Sequence, residues 1–261
     1  MKNIKISLTL IKLGIKADSS FPLDFIIGLI SSILWIGIPL MFFRLLFLNI
    51  NDFEGWGYNQ VLTLVGTFTI VDGIMMGLLI RGMPILENDI LNGTLDQYLL
   101  KPFDTQIFYL FRSVNLVQLV NGLFGVIVLL WGISSQSRTV SIFEWVLFMF
   151  SLLIGCVVYY TIWLLIVLTS FWSPSNVSRT ELFLNIIGMG KYPNSIFNGV
   201  IKIFLTYVIP LTLIANPATR IILGLTYKKD LMIQILVGIM SIIISRIIWK
   251  KGLKKYEGTG R

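Results

Sequence analysis

The sequence predicts an all-α membrane protein. Its parts are six transmembrane helices, an amphipathic interfacial helix at the amino terminus, a cytoplasmic hairpin after the second span and a short outer re-entrant helix before the last span. Three observations predict this. The 261 residues are 56% hydrophobic and only 13% charged, against about 25% charged in an average soluble domain. Six runs are long and apolar enough to cross a bilayer, which takes about 20 residues. The polar segments between them carry turn and capping signals but show no internal repeat and no sign of a second soluble domain, so residues 1–261 read as one membrane domain.

In residues 1–20, Ile4, Leu8, Ile11 and Ile15 share one helical face, and Lys5, Lys12 and Lys16 lie on another. That is the pattern of a basic helix lying on a membrane surface. Lys12 and Lys16 interrupt the apolar run and no small-residue cleavage site follows, which excludes a signal peptide.

The predicted spans are about 22–48, 58–82, 106–133, 142–171, 195–215 and 231–250. Arg112, Asn115, Gln118 and Asn121 interrupt the third, and such residues face protein rather than lipid. Asp72 lies within the second span, with Gly73 and Gly77 beside it as a small-residue packing face. With the amino terminus inside, Lys2, Arg81, Lys101, Arg179, Lys191 and the lysines of the carboxy-terminal KKGLKKYEGTGR fall on the cytoplasmic side. Arg138, Arg220, Lys228 and Lys229 fall outside, so the bias places both termini in the cytoplasm.

Between spans two and three, LENDILNGTLDQYLLKPFDTQIF carries Glu87, Asp89, Asp96 and Asp104 against Lys101 alone. Asn92–Gly93 signals a turn, Thr94 to Gln97 has the spacing of a capping box, and Pro102 closes the helix that restarts there. An acidic hairpin at an anionic membrane face suggests a protein partner rather than lipid. Between spans four and five, Ser178 to Glu181 is a second capping box, predicting a cytoplasmic helix over 179–189. After the fifth span, Pro210 predicts a kink, and Asn216–Pro217 reads as a cap with a first-turn proline, opening a short helix at the outer leaflet.

Several chemistries are excluded or disfavoured. The chain has no histidine and one cysteine, Cys156, which removes Ser/His and Cys/His nucleophilic sites, histidine metal sites and internal disulfides. The net charge of +8 comes from basic loops at span ends, not from a basic stretch interleaved with aromatics, so no nucleic acid is expected. GMGKYP fails as a phosphate loop, having Asn185 where the first glycine should stand and Tyr192 where Ser or Thr should follow the lysine. No catalytic or metal site is expected. An intramembrane aspartyl enzyme would need a second deep carboxylate beside Asp72. A secondary transporter or channel, with Asp72 coupling an ion, stands as the alternative transport reading, although such folds show symmetry between halves.

The run NGTLDQYLLKPFDTQIFYLFR resembles the first cytoplasmic loop of ATP-binding-cassette permeases of the type-2 exporter family, through Gly93, Leu95, Asp96, Leu99, Leu100, Lys101 and Pro102. KYPNSIF and IPLTLIANPA are similar to the segments that flank the fifth span in the same subgroup. The resemblance implies a bacterial cell-membrane permease that pairs with a second permease, as homodimer or heterodimer, above two separate ATPase subunits. Those subunits would hold the ATP and magnesium. It also implies that the hairpin is the coupling element. Leu95, Asp96, Tyr98 and Leu99 would transmit force, and Glu87 and Asp89 would seat the loop. The polar residues Asp72, Asn115, Gln118 and Asn121 are the candidate lining of the translocation path.

Overall fold

The computed structural model describes residues 22–136, 138–173 and 178–256. The amino-terminal amphipathic helix expected over 1–20 lies outside the described residues. In chain order the helices are α1 (Pro22–Asn49), α2 (Tyr58–Leu79), α3 (Gly82–Leu91), α4 (Asp96–Leu99), α5 (Thr105–Phe111) and α6 (Leu116–Ser134). They continue as α7 (Ile142–Leu168), α8 (Arg179–Ile187), α9 (Gly199–Ile203), α10 (Asn216–Ile222) and α11 (Lys228–Lys255). The described residues are mostly helical, with turns between, and their β pairing is one isolated bridge between Phe53 and Trp56. Five helices, α1, α2, α6, α7 and α11, are long and apolar enough to cross a membrane.

The central helix is α2, and glycine explains why α6 lies so close to it. A Cβ on Gly73 would stand 2.3 Å from the backbone nitrogen of Gly122, and one on Gly66 would stand 2.4 Å from that of Leu129. The two backbones touch, which is how helices associate where lipid removes the hydrophobic drive. Helix α7 is joined to α11 by polar side chains. The Ser151 hydroxyl donates to Gln234 Oε1 at 2.7 Å, Gln234 Nε2 donates to the Leu213 carbonyl at 2.8 Å, and Thr161 donates to Ser241 at 3.0 Å. Helix α1 is peripheral, with only Ser32, Ile36 and Phe43 buried.

The third span differs from expectation. It begins at Leu116, not near 106, because Asn115 stops the chain and caps the new helix, its Oδ1 accepting from Gln118 N at 3.2 Å. Arg112 therefore stands outside the span, in the break after α5.

The largest difference concerns the fifth crossing. The expected cytoplasmic segment 179–194 instead runs through the bundle. Its start is held at the hairpin end by Arg179 and Glu87. Phe183 then stacks on Trp163, the 3-10 turn Gly188–Lys191 passes Phe68 in the middle of α2, and the Tyr192 ring meets Phe43. Asn194 ends against Asn216 and Arg220, and Arg220 lies over Trp56 at the opposite end. Nine α-helical and four 3-10 residues reach about 21 Å, and the extended Tyr192 leads into the turn at Pro193–Ile196, most of the roughly 30 Å of a bilayer core. Irregular backbone is tolerated at membrane depth only where protein or a cavity covers it; Phe183 packs on α7 and Gly190 on α2, while Leu182, Asn185 and Met189 stay exposed. Lys191, expected in a cytoplasmic loop, is inside the bundle.

The run expected to be the fifth span, 195–215, is not one helix. Helix α9 passes into a π-helical turn, Phe204–Val208, and the chain bends by 65° before Leu211–Ile222. Pro210 sits at the bend, unable to donate a backbone hydrogen bond. Helix α10 ends at the side opposite the hairpin, where Arg138 donates to the Ile222 carbonyl at 3.1 Å. Asn216 does not cap it. Ala215 is the N-cap, and Asn216 accepts from Asn194 N and donates to the Tyr192 carbonyl.

Candidate functional sites: an ion-paired hairpin and a polar cavity

The hairpin comprises α3, a turn, α4 and α5. Gly93 adopts φ +73°, the left-handed conformation that reverses the chain. The expected capping box does not form. Leu95 is the N-cap of α4, and the Thr94 hydroxyl donates to Asp89 Oδ1 at 2.7 Å.

The acidic charge is balanced from outside the segment. Glu87 is 7% exposed, and its Oε1 accepts from Arg179 Nη1 at 3.0 Å. Arg179 also donates to Thr169 Oγ1 at 2.9 Å and to the Ser173 carbonyl. Asp89 Oδ2 accepts from the Tyr109 hydroxyl at 2.6 Å and from Arg112 at 2.9 Å. Burial, with Asp89 alongside, pushes the Tyr109 phenol well above its ordinary range, so it stays a donor. Asp104 caps α5 through Ile107 N and pairs with Arg246 of α11 at 2.8 Å. Burial, then the neighbouring Asp96, raises the Tyr256 phenol where the end of α11 reaches the hairpin.

The expected coupling residues differ in how much surface they present. Leu95 is fully buried, Glu87 is inside an ion pair, and Tyr98 is stacked on Phe108 at 5.2 Å under the Arg112 guanidinium. Leu99 packs against the core and Asp96 is half-buried. What the hairpin offers outward is Leu100, 88% exposed, with Leu91, Asn88, Asn92, Gln97, Lys101 and Pro102 around it. The signal that could have found this was helical register. Leu100 lies beyond the face that buries Leu95.

The second site is a cavity of about 530 Å³ between α1, α2 and α6. Asp72, Asn115, Gln118 and Asn121, four residues chosen from the sequence for polarity alone, all line it. Asp72 Oδ1 accepts from the Tyr159 hydroxyl of α7 at 2.8 Å. Asn121 is 2% exposed, and its Oδ1 has no hydrogen-bond partner among the described residues. Lys191 lies close enough for its charge to act on Asp72, though no ion pair joins them among the described residues. Tyr159 and Lys191 bear on Asp72 without having been marked by hydropathy.

Glu87, Arg179 and Asp72 are connected through packing. Arg179 opens α8, Phe183 of α8 lies at 4.3 Å on Trp163 and 5.2 Å from Tyr159, and Tyr159 holds Asp72. The hairpin and the cavity thus share one wall of side chains.

No curated protein and no solved structure matches the chain. A family profile, described as ABC-2 family transporter protein, matches residues 33–260 and so includes both sites. With its crossing helices, its polar cavity and a profile match over most of its length, the chain belongs to the ABC-2 family of membrane transport components.

Proposed function

We propose that this chain is the permease subunit of an ATP-driven exporter in a bacterial cell membrane, with both termini and the hairpin in the cytoplasm. ATPase subunits carry the ATP and magnesium and dock on the hairpin tip. A second permease covers part of α1 and completes the path.

The observation that carries the proposal is the ion-paired construction of the hairpin. A solvated loop needs no buried Glu87–Arg179 pair and no three-donor clasp on Asp89. Such bonds make the segment stiff, so a push at Leu100 moves α8 and α11 as well. Rigid-body motion is the usual output of such switches. The candidate path is the cavity lined by Asp72, Asn115, Gln118 and Asn121. Glu87, Asp89, Leu95, Asp96, Tyr98 and Leu99 act in this proposal as the frame of the lever, and Leu91 and Leu100 as its contact surface.

The test is co-purification of the chain with the ATPase encoded beside it. Retention by the wild type and loss on Leu100→Glu is the expected result. Transport by the chain in vesicles without any ATPase would instead favour a secondary transporter with Asp72 as its ion site.

A further inference from the structure

The polar cavity has a directional chemistry. Its wall on α1 is a stripe, Asp24, Gly28, Ser31 and Trp35, at intervals of four, three and four residues, which is one face of a helix. Asp24, Ser31 and Trp35 remain exposed while lining it, so the cavity is open along that flank to whatever surrounds α1. At the hairpin end the lining holds both Asp24 and Arg81, and Arg81 Nη1 donates to the Val114 carbonyl at 3.0 Å.

The deep end is different. Asp72 is the carboxylate there, and one of its oxygens accepts from Tyr159. Asn121 stands beside it in the lining, 2% exposed, with an amide oxygen that satisfies no donor. A buried acceptor without a donor costs about 1–3 kcal/mol. Which way the amide points is fixed by its partners, so an occupant could satisfy either of its atoms. The aromatic ring of Trp35 completes the lining.

A carboxylate, an unsatisfied amide and an indole suit a compact positive charge with N–H donors. Resting on the proposed transport function, we infer that the cavity receives the protonated amine of an amphiphile, its ammonium against Asp72 and Asn121 and its apolar body along Trp35 toward the bilayer. Lys191 stands outside the lining, and its charge bears on the same carboxylate. A carboxylate or phosphate head would meet the Asp72 charge at depth, while the cation of the lining, Arg81, stands at the other end.

The experiment uses the full chain in nanodiscs without ATPase, so it is independent of coupling. The probe is dansylcadaverine, a primary amine on an apolar fluorophore, read by energy transfer from tryptophan. Its N-acetyl derivative, which lacks the charge, is the comparison. The expected result is that the amine binds on the order of tenfold more tightly than the acetylated probe, and that Asp72→Asn removes this preference without changing the acetylated baseline. Asn121→Asp, which adds a second carboxylate, tightens amine binding and gives a reading even if Asp72→Asn does not fold. Lys191→Gln tightens it as well. Equal binding of the two probes, no binding of the amine, or a preference that survives Asp72→Asn overturns the inference. Failure of the wild-type chain to retain any ATPase in the separate co-purification, with the amine preference intact, would overturn the ATP-driven reading and leave the cavity's chemistry standing.

Discussion

Glu87 of α3 and Arg179 of α8 meet at 3.0 Å although 92 residues separate them in sequence. Their side chains are 10% and 4% exposed, so each charge has given up nearly all of its water. The guanidinium spends its remaining donors on Thr169 and the Ser173 carbonyl. A pair this well bonded has little independent freedom, and it fixes where the hairpin stands relative to the 179–194 crossing.

Breaking that pair from one side leaves a buried charge without its partner. Glu87→Gln or Arg179→Met should each cost about 3–5 kcal/mol of stability. The double variant should cost clearly less than the sum. A double-mutant cycle of thermal unfolding in detergent measures the coupling. Additive costs would mean that the pair does not tie the two elements together.

The tip and the frame of the hairpin should behave oppositely. Leu100 is 88% exposed, so Leu100→Glu should leave thermal stability within about 0.5 kcal/mol of wild type while the ATPase is lost in co-purification. Leu95 is fully buried, and Leu95→Arg should unfold the hairpin itself. A docking defect from Leu95→Arg alone, with Leu100→Glu fully competent, would remove the tip as the contact surface.

Much of this was legible in the sequence, and the misses have physical causes. Spans one, four and six were readable because their outward faces are exposed and apolar, and span two because it is apolar and buried on nearly every side. The hairpin was readable because Asn92–Gly93 and Pro102 act on their own backbone. The partners of Glu87, Asp89 and Asp104 were not readable, since Arg179, Arg112 and Arg246 come from distant elements. The course of residues 179–194 was not readable for a related reason. Their buried positions, Phe183 and Gly190 among them, pack on α7 and α2 while Leu182, Asn185 and Met189 stay exposed, so no continuous apolar run marks them. Val200, Ile201, Ile203, Tyr207 and Val208 are exposed and apolar, so they resembled a span without forming a straight one. Among the cavity residues, polarity within a span was a sufficient signal, since all four chosen that way line it.

The α2–α6 contact should tolerate no side chain. At Gly73 a Cβ would meet the backbone of Gly122 at 2.3 Å, and neither backbone can move without shifting a whole helix. Gly73→Leu should therefore destabilise by about 3 kcal/mol or more, at the top of the usual range for overpacking. Gly37 of α1 has nothing within 4 Å, so Gly37→Ala should gain up to about 1 kcal/mol from helix propensity. Detergent melting curves of the two variants check both signs.

The path of residues 179–194 can be read by labelling. Asn194 lies against Arg220, which covers Trp56 at the end away from the hairpin. In a Cys156→Ser background, Asn194→Cys should react with a membrane-impermeant maleimide from the side opposite the hairpin. Asn88→Cys, on the exposed face of α3, should react from the hairpin side. Right-side-out and inverted vesicles separate the two. Labelling of both cysteines from the same side would return the crossing to the 195–215 run and take Lys191 out of the bundle. Labelling from opposite sides would place a lysine inside the protein, within reach of Asp72, and make that charge part of any account of what the cavity holds.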